Sequence, residues 1–193
     1  MEIPQGLIAV VDVESTCWEE GKQPVGEASE IIEIGICMVD IAKQEHVADS
    51  RRSIIVKPAR SRVSEFCTKL TSHTQDEVDK GISFRDTCKI LQKDLHTSIY
   101  PWTSWGDYDL KMFKNECRIL KIDYPFSNIH YNLKRRFAKL LELPKELGMD
   151  KAMRQVGIPL EGRHHLGVDD AWNIATILTW MLGKFGNAVF QER

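Results

Sequence analysis

The chain has 193 residues, 42% hydrophobic and 28% charged, with 26 Lys and Arg against 28 Asp and Glu for a formal net charge of −2. That length suits one domain spanning residues 1–193 with a sizeable core, and the near-neutral balance excludes a global basic field, so any grip on a polyanion must be local. No apolar stretch is long enough to span a membrane, Met1-Glu2-Ile3-Pro4-Gln5-Gly6 carries no basic-then-apolar leader, and five scattered cysteines (17, 37, 67, 88, 117) without a C-x-x-C pair read as reduced thiols of a cytoplasmic protein, not a zinc knuckle or disulfide scaffold.

The first predicted element is a buried strand over 7–14, from Leu7-Ile8-Ala9-Val10-Val11 into Asp12-Val13-Glu14. A polar loop from Glu19 to Ala28 leads to a second strand over 30–40, and Ser53-Ile54-Ile55-Val56 is a third. Thr74-Gln75-Asp76-Glu77 is a capping box that opens a short helix ending at Gly81. A helix over about 84–96 places Phe84, Cys88, Leu91 and Leu95 on one face. Trp102 to Trp105 forms a fourth strand, followed by a helix over 108–120. Ile129 to Leu133 suits a fifth strand or the lead-in to a helix through Leu141, and the last two helices cover about 145–156 and 168–183. Three meandering strands followed by strands alternating with helices predict one mixed α/β domain.

Asp12 and Glu14 lie one residue apart on a strand, so both project from the same face while Val11 and Val13 project from the other. Two like charges at the mouth of a core strand repel unless something neutralises them. A hard divalent cation such as Mg²⁺ or Mn²⁺ answers that need with oxygen ligands; a solvated strand end feeding a turn is the plainer alternative. The last helix offers two more acids. At about 100° per residue, Ala171, Ile174, Ala175, Leu178, Met181 and Leu182 form its apolar face. Asp170 then falls roughly 70° from the centre of that face, positioned to look at the sheet, whereas Asp169 points to solvent and complements the helix dipole. On helix 108–120 the same construction puts Asp109 beside the face of Leu110, Phe113, Cys117 and Leu120, with Asp107 as N-cap. His164 and His165 precede the last helix. His165 stands five positions before Asp170, where a near-neutral imidazole could take a proton from water; His164 stands five before Asp169, and the helix face selects the 165/170 pairing.

With these residues in order, the sequence resembles the DEDDh 3′–5′ exonucleases, the DnaQ-like branch of the RNase H-like superfamily. Asp12-Val13-Glu14-Ser15-Thr16 matches the first motif, D-x-E-[ST]-T; Ser104-Trp105-Gly106-Asp107-Tyr108-Asp109 is similar to the second, with Asp109 its aspartate; His165 to Asp170 matches the third, H-x₄-D. Cys67-Thr68-Lys69-Leu70-Thr71 with Thr74-Gln75, Asn132-Leu133, and Gly157 to Asn173 look most like the Eri-type/KapD-like subgroup, which trims RNA 3′ ends.

The resemblance implies an RNase H-like five-stranded mixed sheet, three antiparallel strands then two parallel, flanked by helices. It also implies hydrolysis by two Mg²⁺ ions about 3.5–4 Å apart, for which Mn²⁺ would substitute, with release of nucleoside 5′-monophosphates. Asp12 would bridge the metals, Glu14 and Asp170 would hold the one on the nucleophile side, Asp109 would support the other, and His165 would act as general base. The backbone at Glu14 and Ser15, with Thr16, would hold the terminal nucleotide, and Leu70, Thr71 and His73 would line its pocket, as His165 would meet the substrate. Single-stranded RNA is the implied substrate, with DNA exonuclease activity for repair or end trimming as the alternative and a non-catalytic RNA- or protein-binding module as a third reading. Basic clusters at Arg51-Arg52, Lys57 to Arg62 and Lys134-Arg135-Arg136 read as solvated faces or nucleic-acid contacts. Trp18 is placed to stack a base or to pack, and Trp172, Trp180 and Met181 read as packing residues. The oligomeric state is left open.

Overall fold

The computed structural model describes residues 6–20 and 22–191. Its sheet is mixed, as the sequence predicts, with strands in the order Ile82–Ser83, Arg52–Lys57, Ile31–Asp40, Leu7–Ser15, Trp102–Ser104, His130–Asn132. The five expected strands are β1 (Leu7–Ser15), β2 (Ile31–Asp40), β4 (Arg52–Lys57), β6 (Trp102–Ser104) and β7 (His130–Asn132). Two further strands of two residues each, β3 (Glu45–His46) and β5 (Ile82–Ser83), add to them; they are too short to leave a period-2 signal in the sequence. β1 pairs antiparallel with β2, and β2 with β4. β1 pairs parallel with β6, and β6 with β7.

Seven helices cover the sheet among the described residues: α1 (Glu65–Thr71), α2 (Gln75–Val78), α3 (Phe84–Lys93), α4 (Tyr108–Leu120), α5 (Leu133–Leu140), α6 (Met149–Gln155) and α7 (Gly167–Phe185), the last followed by a 3-10 turn at Gly186–Phe190. The sequence leaves α1 unassigned. Ser64 caps its start by accepting from the Cys67 amide, and its end takes the left-handed conformation at Ser72 (φ 73°), where the usual glycine signal is missing. α3 and α6 are shorter than their periodicity suggests, and the segment at 129–141 resolves into β7 running directly into α5.

The alternation along β1 decides where chemistry can sit. Ala9, Val11 and Val13 face one core with Leu91 of α3 and Phe113 of α4. Ile8 and Val10 face the other core with Ile174, Leu178 and Met181 of α7. Asp12 and Glu14 continue the second face, so they emerge where the start of α7 crosses the sheet. That crossing is unusually close: a Cβ on Gly35, the β2 residue paired with Asp12, would lie 1.9 Å from the Gly167 carbonyl oxygen. Only glycine at 35 lets the two backbones meet. None of the five cysteines forms a disulfide, and no helix among the described residues is long and apolar enough to cross a membrane.

Candidate active site

Oxygens of Asp12, Glu14 and Asp170 converge within 4.8 Å of one another. The first two come from the end of β1 and the third from the first turn of α7, so the strand periodicity and the helix-face construction place all three as the sequence predicts. Asp109 enters from α4 on the other side of β1, where its Oδ1 accepts the Val13 amide at 3.0 Å. Its carboxylate is thus fixed to the β1 main chain between Asp12 and Glu14.

Charge is held back throughout this cluster. Burial, then the neighbouring carboxylates Asp109, Asp170 and Glu14, push the Asp12 pKa well above the ordinary range. Burial followed by Asp170 and Glu33 raises Glu14 to about 8. Asp109 rises to about 6 through burial, against the lowering effect of the hydrogen bonds it accepts, and burial raises Asp170 although His164 opposes it. Four carboxyls that resist ionising side by side suit a multivalent cation, and their hard oxygens suit Mg²⁺ or Mn²⁺.

Both histidines lie over Asp170. His165 takes a left-handed backbone (φ 66°), which turns its amide to donate to Asp170 Oδ2 at 3.0 Å. His164 brings its ring nitrogen Nδ1 to 3.0 Å from the same oxygen, and the two imidazoles stack with centroids 4.0 Å apart. The His165 pKa is lowered by burial and then by His164, against the pull of Asp170, which favours the neutral ring. The loop that carries them is anchored by Asn173, whose amide accepts from the Glu161 N–H and donates to the Glu161 carbonyl, both at 2.9 Å.

Glu33 is the residue that sequence reasoning missed. Fully buried on β2, it accepts from the Gly167 amide at 2.7 Å and the Val168 amide at 3.2 Å, so it caps the helix that supplies Asp170. Leu166, at the N-cap position, contributes no side-chain cap of its own. Ser53 Oγ donates to Glu33 at 2.6 Å and His73 Nε2 lies 2.8 Å away. Although burial opposes both shifts, these hydrogen bonds hold the Glu33 pKa low, and Glu33 with Glu77 raises His73, which favours an ion pair between Glu33 and His73. The signal was a lone charge inside Ile31-Ile32-Glu33-Ile34.

Several other expectations change. Asp169 does not point into solvent; it pairs with Arg51, which reaches across from the start of β4, and accepts the Arg163 amide at 2.8 Å. Asp107 occupies the N-cap position of α4 without capping it, its carboxylate drawn instead to Arg135 at 2.9 Å. Glu77 of the capping box turns to His73 (3.2 Å), while Thr74 does accept from the Glu77 amide. Trp172 packs on His46 and under Arg51, and Trp180 packs against Phe137; Met181 is fully buried.

Of the residues expected at the substrate, Ser15 lies at a β-bulge after Glu14 and shares a 2.7 Å hydrogen bond with Tyr108 Oη. Thr16 is buried, with its hydroxyl between Ala28 and Glu30, and Thr71 is buried, with its hydroxyl donating to the Cys67 carbonyl. Leu70 is half-buried beside it, and Trp18 is half-buried behind the first motif.

The exonuclease family (RNase_T) matches residues 9–178. The chain belongs to this family. It is of the DEDDh type, in the Eri-type subgroup. It is 30% identical over 184 residues to the 3′–5′ exoribonuclease 1 of Rattus norvegicus, a match that covers 91% of this chain and 52% of that protein. It is also 30% identical over 203 residues to the ERI1 exoribonuclease 2 of Mus musculus, covering 93% of this chain and 29% of that one. The chain therefore spans about half or less of the length of these curated relatives. Among solved structures, the nuclease domain of 3′hExo, a DEDDh family member bound to rAMP, superposes with a TM-score of 0.82 at 27% identity, covering 95% of this chain and 94% of that domain.

Proposed function

We propose that this DEDDh exonuclease is a metal-dependent 3′–5′ exoribonuclease that removes nucleoside 5′-monophosphates stepwise from single-stranded RNA 3′ ends. The observation that carries the reading is the convergence of Asp12, Glu14 and Asp170 within 4.8 Å beneath two stacked histidines. The likeness to an exoribonuclease over 91% of the chain supports RNA as the substrate.

Two Mg²⁺ ions, or Mn²⁺ in their place, would be held by Asp12, Glu14, Asp170 and Asp109, the first three of which converge within 4.8 Å. Once bound, such ions lower the pKa of water and offset charge on the attacking and leaving oxygens of the phosphodiester. The protein's own residues do the rest. His165 accepts the proton of the attacking water on its neutral ring, and the left-handed turn at His165 fixes that ring over Asp170. His164, 3.0 Å from Asp170, would have to give up that contact for the carboxylate to hold a cation. The bulged backbone at Glu14 and Ser15 receives the terminal sugar, and Leu70 flanks its base. Thr16 and Thr71 hold in place the segments that make these contacts.

The test is a time course on matched 5′-labelled single-stranded RNA and DNA with Mg²⁺, Mn²⁺ or EDTA. A metal-dependent ladder that shortens from the 3′ end of RNA faster than of DNA is expected. Faster cutting of DNA makes it a DNA exonuclease, and intact substrate in every lane, from folded protein that takes up Mn²⁺ in calorimetry, makes it a binding module.

A further inference from the structure

All three basic clusters have structural partners, the third through Arg135 with Asp107 and Glu146 and through Arg136 with the Gln191 carbonyl. Arg51 is held by Glu161 and Asp169, and Arg60 by Glu30 and Glu116. The third joins a concavity between α4, β7 and α5. A cavity of about 520 Å³ there is lined by Lys114, Arg135, Arg136 and Lys139, with Asn132 at its side and Asp107 as the one carboxylate in its wall. The Asp107 carboxylate is already bonded to Arg135, which also lies 3.7 Å from Glu146. In a chain of net charge −2, this gathering of cations is a local field of the kind the composition left open. The volume is in the range that holds a nucleotide-sized ligand.

The cavity adjoins the acidic cluster through three consecutive residues. Asp109 faces the core and bonds Val13. Tyr108, half exposed, bonds Ser15 at the end of β1. Asp107 opens the cavity. Leu110 and Lys114 follow on the same face of α4, at the spacing that stacks side chains one above another. Lys114 lies about 10 Å along the helix axis from Asp107. A strand whose 3′ end sits at Ser15 is carried past the Tyr108 ring and onto these cations. Resting on the nucleic-acid reading above, we propose that the Lys114–Arg135–Arg136–Lys139 cavity binds the phosphodiester backbone of the RNA 5′ of the nucleotide being removed.

Lys114 is exposed, so its charge can be reversed without disturbing the core. Binding of a 5′-fluorescein RNA 12-mer is followed by anisotropy in EDTA, which stops metal-dependent cleavage, over a series of salt concentrations. Cleavage of the 12-mer and of a trimer is then compared in Mg²⁺. Lys114→Glu is expected to weaken 12-mer binding about ten-fold and to reduce the slope of log K against log salt by about 0.7, the loss of one phosphate contact on a single strand. The ratio of kcat/KM for 12-mer over trimer should fall with it. Lys114→Arg should restore both. Lys93→Glu on α3, with the same change in net charge, should move neither. Wild-type salt slope and wild-type length ratio in Lys114→Glu overturn the proposal while leaving the exonuclease reading intact. Salt-sensitive binding that Lys114→Glu weakens, without cleavage of any length in Mg²⁺, overturns the exonuclease reading and leaves the cavity as a nucleic-acid site.

Discussion

The Glu33 carboxylate accepts the Gly167 amide at 2.7 Å, so the helix that carries Asp170 is capped by a residue of the central sheet. Glu33→Gln keeps the shape but leaves the His73 imidazolium without its buried counter-charge. Breaking such a pair costs about 3 kcal/mol or more, a fall in Tm of roughly 6–12 °C for a chain of this size. A positioning role adds something that simple destabilisation lacks: the Mg²⁺ concentration for half-maximal rate should rise, with kcat largely recovered at saturating Mg²⁺. Leu91→Ala, equally destabilising but far from α7, should leave that midpoint where it is.

Stability without metal should fall as pH rises. The native Glu14 carboxyl is raised from 4.5 to about 8, so the folded state binds more protons than the unfolded state between those values. Stability therefore decreases with pH across that window; Asp12 and Asp170, also raised, act in the same direction. Mg²⁺ should reverse the trend by stabilising the ionised forms. Thermal melts at pH 5 and pH 8 with EDTA or Mg²⁺ check this: the metal-induced rise in Tm should be larger at pH 8.

The acids should differ in what they do for the fold. Asp12→Asn removes a buried carboxyl whose ionisation burial and its acidic neighbours oppose, and should abolish hydrolysis while raising the Tm of the metal-free protein. Asp109→Ala should also inactivate, yet it leaves the buried Val13 amide without its acceptor, at a cost of about 1–3 kcal/mol. Melting curves of the two variants in EDTA, moving in opposite directions, distinguish these roles.

His165→Ala should lower kcat by about 10²–10⁴ with little change in Mn²⁺ affinity. His164→Ala should keep most of the rate and bind Mn²⁺ more tightly, since the His164 ring now competes for Asp170. Single-turnover rates beside Mn²⁺ calorimetry separate the two; a larger loss from His164→Ala would reverse the assignment.

The convergence of the acids was legible because it follows from periodicity. A two-residue repeat puts Asp12 and Glu14 on one face, and the apolar stripe of the last helix distinguishes Asp170 from Asp169. What holds the ligands in place was not legible. Glu33 finds Ser53, His73 and Gly167 at separations of 20, 40 and 134 residues, and such distant partners leave no local pattern. Asp107 lost its cap to Arg135, 28 positions away, and Asp169 lost its solvent to Arg51, 118 away. In each case a charged partner from another element outweighed the local preference. α1 was missed although Ser64 caps its start, because its end carries no glycine and the left-handed cap falls on Ser72.

The contact of Gly35 with Gly167 has a consequence for how this catalytic centre tolerates change. Asp12 and Asp170 each stand next to a point where main chain rests on main chain, with no side-chain volume between the strand and the helix. Their separation is therefore set chiefly by this backbone contact and by the Glu33 carboxylate that bonds the first amides of α7. Residues deeper in the two cores can exchange one apolar shape for another, shifting the far end of α7, while the end that bears the ligand acts as a fixed pivot.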